Sequence, residues 1–424
     1  MTIQDSAFVL SFGKHSSITD VSSTPTLTHL LPERHGFMGA DYGRLQPAPL
    51  NPANKRFPAR RGVIDVTKGM ALEQIIRGLY GNSGGAIDPE TTSEVGAILD
   101  VVFGTDSIDP AGASTTVLTS GSVPATATLA VTELARFPIG TVVMFQAPAL
   151  TYHVRQVRAR SGASGSGTLT LDRIWSGTVA DATTAIRCAR WVDDPSVHQH
   201  VHAYFRGEWQ NGDAGDPART FLGCMSRATL EFGVGQHAKL MTSWQATNIA
   251  DAAAADPTFT EPSAGGSVVN TNNSFWIGDT AYYATDQRID LGGSVSAFRA
   301  NSGPHGVQGY KVMKGGEAPR TRMSVTLALG VNSGEVNETL LNTLQGYGLN
   351  AGSEFVPLDV AFQAGGAAGA FCYCVMPGAV VVEADDSVVV DGRRHVRLTL
   401  EASDPENAGV TGGASLYPFE FHLG

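Results

Sequence analysis

The chain has 424 residues with 49 glycines, only 16% charged side chains and a net charge of −11, so two or three domains are expected, each large enough for its own core. The acid excess argues against a protein that grips nucleic acid, but not against one that lets nucleic acid slide past. The first thirty residues scatter Asp5, Lys14 and Asp20 among apolar positions, and no long apolar run follows; a soluble protein made in the cytoplasm is expected.

Abundant glycine with few charges favours short strands joined by many turns. In chain order, SAFVLSF reads as a strand. Residues 21–58 then carry Pro25, Pro32, Pro47, Pro49, Pro52 and Pro58, and proline removes ladder donors and fixes φ. This stretch is expected to be an extended contact arm, neither helix nor central strand. Residues 61–66 read as a short strand. In KGMALEQIIRGLYG, Leu72, Ile75, Ile76 and Leu79 have the i, i+3, i+4, i+7 spacing of one helix face, with Thr67 as cap. A second helix is expected in SEVGAILDVVFG, where Val95, Ile98, Leu99 and Val102 form a similar stripe.

From Ser114 to Trp191 the texture changes to TTVLTS, ATLAV, TVVMFQ, YHVRQVRA, TLTLDR and AIRCARW, separated by Gly, Ser and Pro turns. That pattern predicts a small β-barrel or sandwich inserted into the first domain. Residues 223–248, GCMSRATLEFGVGQHAKLMTSWQATN, give the clearest hairpin. Ala228, Leu230, Phe232 and Val234 alternate with Arg227, Thr229, Glu231 and Gly233; after a Gly233/Gly235 reversal, Ala238, Leu240, Thr242, Trp244 and Ala246 share the return face. Residues 252–266 read as a linker.

The second half repeats the order. A Gly-rich arm over residues 302–319 leads into TRMSVTLAL; residues 335–345 offer Val336, Leu340, Leu341 and Leu344 as a helix face; PLDVAFQ and FCYCVM add strands. The last hairpin, residues 380–402, alternates Val396, Leu398, Leu400 and Ala402 with Arg397, Thr399 and Glu401. The expected division is an N-terminal strand and arm over 1–60, a first domain over 61–110 and 193–255, an inserted β-subdomain over 111–192, and a second domain over 256–424.

Three patterns carry candidate chemistry. GNSGG at 81–85 resembles the nucleophile loop of trypsin-like proteases, but Ser83 lies early, follows a helical pattern, and His35 has no matching context; a glycine-terminated helix end explains it. His198, His200 and His202 would share one face of a strand, a spacing that can ligate zinc or nickel, yet no further ligand is identifiable; a solvated or interface strand is expected. Adjacent Asp193/Asp194 and Asp385/Asp386 diverge on extended backbone and make poor acid/base couples. Cys188, Cys224, Cys372 and Cys374 fit no disulfide or zinc framework and are read as buried thiols.

The 223–248 hairpin, ARRGVIDVTKGMALEQIIRGLYG, the β insert with RFPIGTVVMFQ, and the repeated second half together resemble the tail tube (major tail) proteins of long, non-contractile-tailed bacteriophages of siphovirus type, over most of residues 60–424. The version with two tube folds per chain is the one this length and duplication resemble. The resemblance implies a mainly β fold: two tandem tail-tube-like β-sandwich or barrel domains, each with a short α-helix, plus the small inserted β-subdomain. It implies a structural virion protein, not an enzyme, without catalytic, cofactor-binding or metal residues. Its partners would be copies of itself in stacked rings, homotrimeric and pseudo-hexameric with a hexamer as the alternative, and other tail proteins at the tube ends. Viral double-stranded DNA would pass transiently, without specific binding and with no membrane involved. The chain would be assembled in the host cytoplasm and reside in the virion tail. The arms before Arg61 and Arg320 are candidates for ring stacking, and Glu231, Glu383, Asp385, Asp386 and Glu401 for lumen-facing acids. A capsid or decoration protein, and a metal-dependent β enzyme using His198, His200 and His202, are the alternatives. Tube proteins of contractile tails share the fold but are generally shorter single-fold chains.

Overall fold

A computed structural model describes residues 8–15, 28–30, 34–44, 63–78, 95–104, 114–147, 151–163, 165–179, 183–194, 202–209, 218–252, 266–271, 274–299, 307–313, 318–347, 356–367, 369–406 and 409–424. The protein is mainly β. The first half opens with β1 (Phe8–His15), β2 (Thr28–Leu30), β3 (Arg34–Arg44), β4 (Val63–Ile75) and helix α1 (Gly96–Phe103). An inserted unit follows: β5 (Ser114–Val123), β6 (Thr128–Val131), β7 (Val142–Ala147), β8 (Thr151–Ala163), β9 (Ser166–Leu171) and β10 (Thr183–Arg187). The half closes with β11 (Ala189–Val192), β12 (His202–Trp209), β13 (Ala218–Gly233), β14 (Lys239–Gln245) and β15 (Asn248–Ala252). The second half contains β16 (Ser274–Ile277), β17 (Thr280–Tyr282), β18 (Ala284–Asp290), β19 (Ser294–Arg299), β20 (Val307–Met313) and β21 (Arg322–Ala328). Helix α2 (Glu338–Leu344), β22 (Leu358–Ala367), β23 (Ala370–Val390), β24 (Arg393–Glu401) and β25 (Glu420–Leu423) complete it.

The pairings repeat. In the first half, one sheet runs β2-β1-β12-β13-β15 and a second runs β3-β4-β14-β13. In the second half, the sheets run β17-β16-β22-β23-β25 and β18-β21-β24-β23. Each half therefore has one long strand, β13 or β23, that belongs to both of its sheets and changes neighbours at Cys224/Met225 or Ala379/Val380. The insertions differ: the first half carries the closed six-stranded barrel β10-β5-β6-β9-β8-β7, the second the β19–β20 hairpin. Strand β11 leaves the barrel and adds to β25, tying the first half to the second.

Alternation in sequence becomes two faces in space. Ala228, Leu230 and Phe232 of β13, Leu240 and Trp244 of β14, and Val396, Leu398 and Leu400 of β24 enter the shared core, as the pattern predicts. Val234 does not: it lies in the turn and is 55% exposed. Phe12, Phe205 and Trp244 form an aromatic cluster with Phe205–Trp244 centroids 4.9 Å apart, edge to face. Cys372 and Cys374 share a face and are buried with the other two cysteines. Helix α1 is where its stripe predicts and is buried all round; Gly104, at φ 80°, ends it with its N–H donated to Asp100 O.

Two expectations are corrected. The stretch from Lys68 is not a helix capped at Thr67: through Ile75 it belongs to β4, with Thr67 opposite Asp41 of β3, and Leu79 lies outside the described residues. Met70, Leu72, Gln74 and Ile76 are buried, with Ala71, Glu73 and Ile75 on the other face, and β4 is ladder-paired on both edges. Those two ladders supply the hydrogen bonds and burial that decide for strand over helix. The proline-rich arm also contains a strand, because β3 runs for 11 residues between Pro32 and Pro47, where no proline interrupts it. The second arm likewise contains β20, paired with β19. Most of the expected linker lies outside the described residues.

Candidate functional site

Strands from both halves make one eight-stranded antiparallel sheet in the order β3-β4-β14-β13-β18-β21-β24-β23. The joint between halves is β13–β18, where Thr229, Glu231 and Gly233 stand opposite Asp290, Arg288 and Asp286. One face of this sheet is core; the other is solvent-facing and polar. Rows of side chains cross it, such as Lys239–Glu231–Arg288–Ser324–Thr399–Glu383. A parallel row runs Glu73–Met241–Thr229–Asp290–Arg322–Glu401.

Four of the acids singled out from sequence, Glu231, Glu383, Asp385 and Glu401, occupy this face, and Asp386 lies beside them near the hairpin tip. They are not a bare acidic strip. Glu231 lies 3.4 Å from Arg288, Glu401 2.7 Å from Arg322, and Asp386 3.6 Å from Arg394. Lys239 similarly meets Glu73 at 2.6 Å, and Arg227 meets Asp290 at 3.6 Å. Asp385 accepts hydrogen bonds from the Ser387 hydroxyl and amide, which hold its carboxyl below the usual range, with Arg397 opposite adding to the effect. Exposed pairs like these add little stability, about 0–1 kcal/mol each, but they neutralise the face. A mixed-charge depression of about 560 Å³ between Glu73, Glu231, His237, Lys239, Arg288 and Arg397 belongs to it.

Among the described residues the sheet ends at two strands paired on one side only along this layer: β3, whose partner is β4, and residues 380–390 of β23, whose partner is β24. The β23 edge carries Val382 at 51% and Val389 at 64% exposure. The β23–β24 hairpin turns through Asp391 and Gly392, both at positive φ, the signature of the tight turn that matches strand twist.

A second constellation, not foreseen from sequence, joins the barrel to the sheets. Val142, Met144 and Val154 of the barrel pack on Trp276, Ala361, Phe371, Tyr373 and Val375. Around this apolar contact, Asp172 accepts from Tyr373 Oη at 2.7 Å and from the Gln156 amide at 2.9 Å, and it also pairs with Arg173. Arg158 reaches both Asp359 oxygens at 2.9 and 3.1 Å, and Arg155 lies over the Trp276 ring at 5.0 Å. Nearby, Arg190 grips Glu420 through two bonds of 2.7 and 2.8 Å, and Gln156 donates to the same carboxylate at 2.8 Å. Burial pushes the Glu420 carboxyl up, but Arg190 and His422 outweigh it and hold the group at about 2. The signal was present as Arg155, Arg158, Arg173 and Arg190 within strand-like segments, where charge reads as a solvated face until a partner surface is known.

Of the other residues weighed from sequence, Ser83, His198 and His200 lie outside the described residues. His202 opens β12 opposite His15. Among the described residues no group of three or more His, Cys, Asp or Glu could hold a metal, and no helix is long and apolar enough to cross a membrane. Asp193 accepts from the Thr321 hydroxyl, a contact between halves. No family model matches the chain, and no curated protein matches it either.

Proposed function

We propose that this protein is a structural subunit of the tail tube of a long, non-contractile-tailed bacteriophage, assembling into stacked rings whose channel passes the genome. The observation that carries the reading is the doubled strand order: two copies of a four-strand sheet unit already joined edge to edge at β13–β18, with, among the described residues, an equivalent edge open at each end. A sheet with open ends is an aggregation hazard unless it is closed, and closure through further copies removes every edge. Three chains place six copies of the unit around one ring, a trimer with pseudo-sixfold symmetry. The solvent-facing side of the sheet then lines the channel.

The charge of that face suits passage. Arg288, Arg322 and Lys239 are paired with Glu231, Glu401 and Glu73, so among the described residues these cations offer DNA phosphates a weakened hold. The inserted barrel, packed through apolar side chains on β16, β22 and β23 and paired to Asp359 of β22 by Arg158, would project outward from the ring. The chain would act in the virion tail after assembly in the host cytoplasm, with other tail proteins at the tube ends. Electron microscopy of the purified chain over a concentration series tests this: hollow tubes or stacked rings are expected, and closed shells or isolated knobs would instead indicate a capsid or decoration protein.

A further inference from the structure

We propose that the β23 edge receives β3 of a second copy in the register set by the internal β13–β18 joint. The inference rests on the ring reading above for its partner and deepens it to named residue pairs.

The two halves superimpose row by row through their return strands. Gln245 pairs with Met225 and Gly69, as Glu401 pairs with Val380 and Arg322, and both rows mark where the long strand changes sheets. On the next strand out, Met38 pairs with Gly69 as Asp290 pairs with Arg322, so Met38 of β3 corresponds to Asp290 of β18. Along the return strands, Met241 pairs with Thr229 and Arg397 with Asp385, so Asp385 corresponds to Thr229. Since Thr229 stands opposite Asp290 within the chain, Asp385 should stand opposite Met38 of the second copy. The same mapping, with the bulge between Asp385 and Val388 included, sets Val388 opposite Gly36.

Intermolecular disulfide formation in the full chain tests the register. The native cysteines are all buried, so they need not be removed. Facing residues of an antiparallel pair have Cα atoms about 4.5–5.5 Å apart, within disulfide reach. The chain carrying Asp385→Cys and Met38→Cys should give, on oxidation, a ladder beyond dimer that ends at the ring. Asp385→Cys with Arg34→Cys, displaced by about 13 Å along the strand, should not. Single-cysteine chains cannot pass dimer. Val382→Lys, at an exposed position, should leave the monomer's thermal midpoint unchanged while raising the concentration for half-assembly roughly tenfold or more. Tubes with no ladder, or with a ladder from the displaced pair, overturn the register and leave the tube reading standing. A ladder without tubes supports the edge pairing and removes the tube reading. Neither ladder nor assembly overturns the pairing, as does unaltered assembly by the Val382→Lys chain.

Discussion

Glu420→Gln removes the charge that compensates Arg190 at the barrel junction, and its cost can be worked two ways. Arg190 keeps a guanidinium that is almost wholly enclosed, with two of its bonds, at 2.7 and 2.8 Å, now made to a neutral amide at best. Breaking one partner of a buried pair costs about 3–5 kcal/mol. Linkage gives a similar figure. The Glu420 carboxyl moves from 4.5 to about 2 on folding, and at about 1.4 kcal/mol per unit this corresponds to about 3 kcal/mol. The folded value is the depressed one, so this contribution is fully present above about pH 4.5 and is lost as pH falls through about 2. Urea unfolding of wild type and variant, followed by tryptophan fluorescence from Trp175 and Trp276, should show a loss of about 3 kcal/mol at pH 7 that shrinks steadily below pH 4.5. A variant within 1 kcal/mol of wild type at pH 7, or a loss that is the same at pH 3 and pH 7, would refute the reasoning.

Gln74 is buried opposite Leu240, and among the described residues neither its Nε2 nor its Oε1 has a hydrogen-bond partner. Gln74→Met, of similar volume, should therefore stabilise by about 1–3 kcal/mol, raising the denaturant midpoint. Gly392 has φ 76° with nothing near a Cβ built on it, so Gly392→Ala should cost about 1 kcal/mol from backbone strain alone. Gly165→Ala, equally open but without a positive φ, is the calorimetric control and should cost less. Burial raises the Cys224 and Cys374 thiols, so a thiol reagent at pH 8 should label none of the four cysteines until denaturant is added.

The hairpins, the insert and both helices were legible because each is decided by its own residues: alternation in β13, β14 and β24, and a Val95–Ile98–Leu99–Val102 stripe ended by Gly104. Strand β4 was not. Leu72, Ile75 and Ile76 satisfy helical spacing as well as any strand, and polar Gln74 interrupts the apolar alternation at a core position. Only the ladders to β3 and β14, more than 160 residues apart in the chain for β4 and β14, settle the matter. Strand β3 was hidden for a related reason, since prolines on either side coloured the reading of the residues between them. The acids of the solvent-facing sheet were found, but not their neutralisation, because Arg288 and Arg322 meet Glu231 and Glu401 only across strand pairings. The repeat was visible as an order of elements; that β13 joins β18 to make one sheet was not.

End-on class averages of the assembled particle by cryo-electron microscopy test whether three chains close one ring. Hollow rings of three chains are expected, with sixfold modulation of the inner wall and threefold symmetry outside it from the three inserted barrels. Rings of six chains, or particles without a central channel, would contradict this.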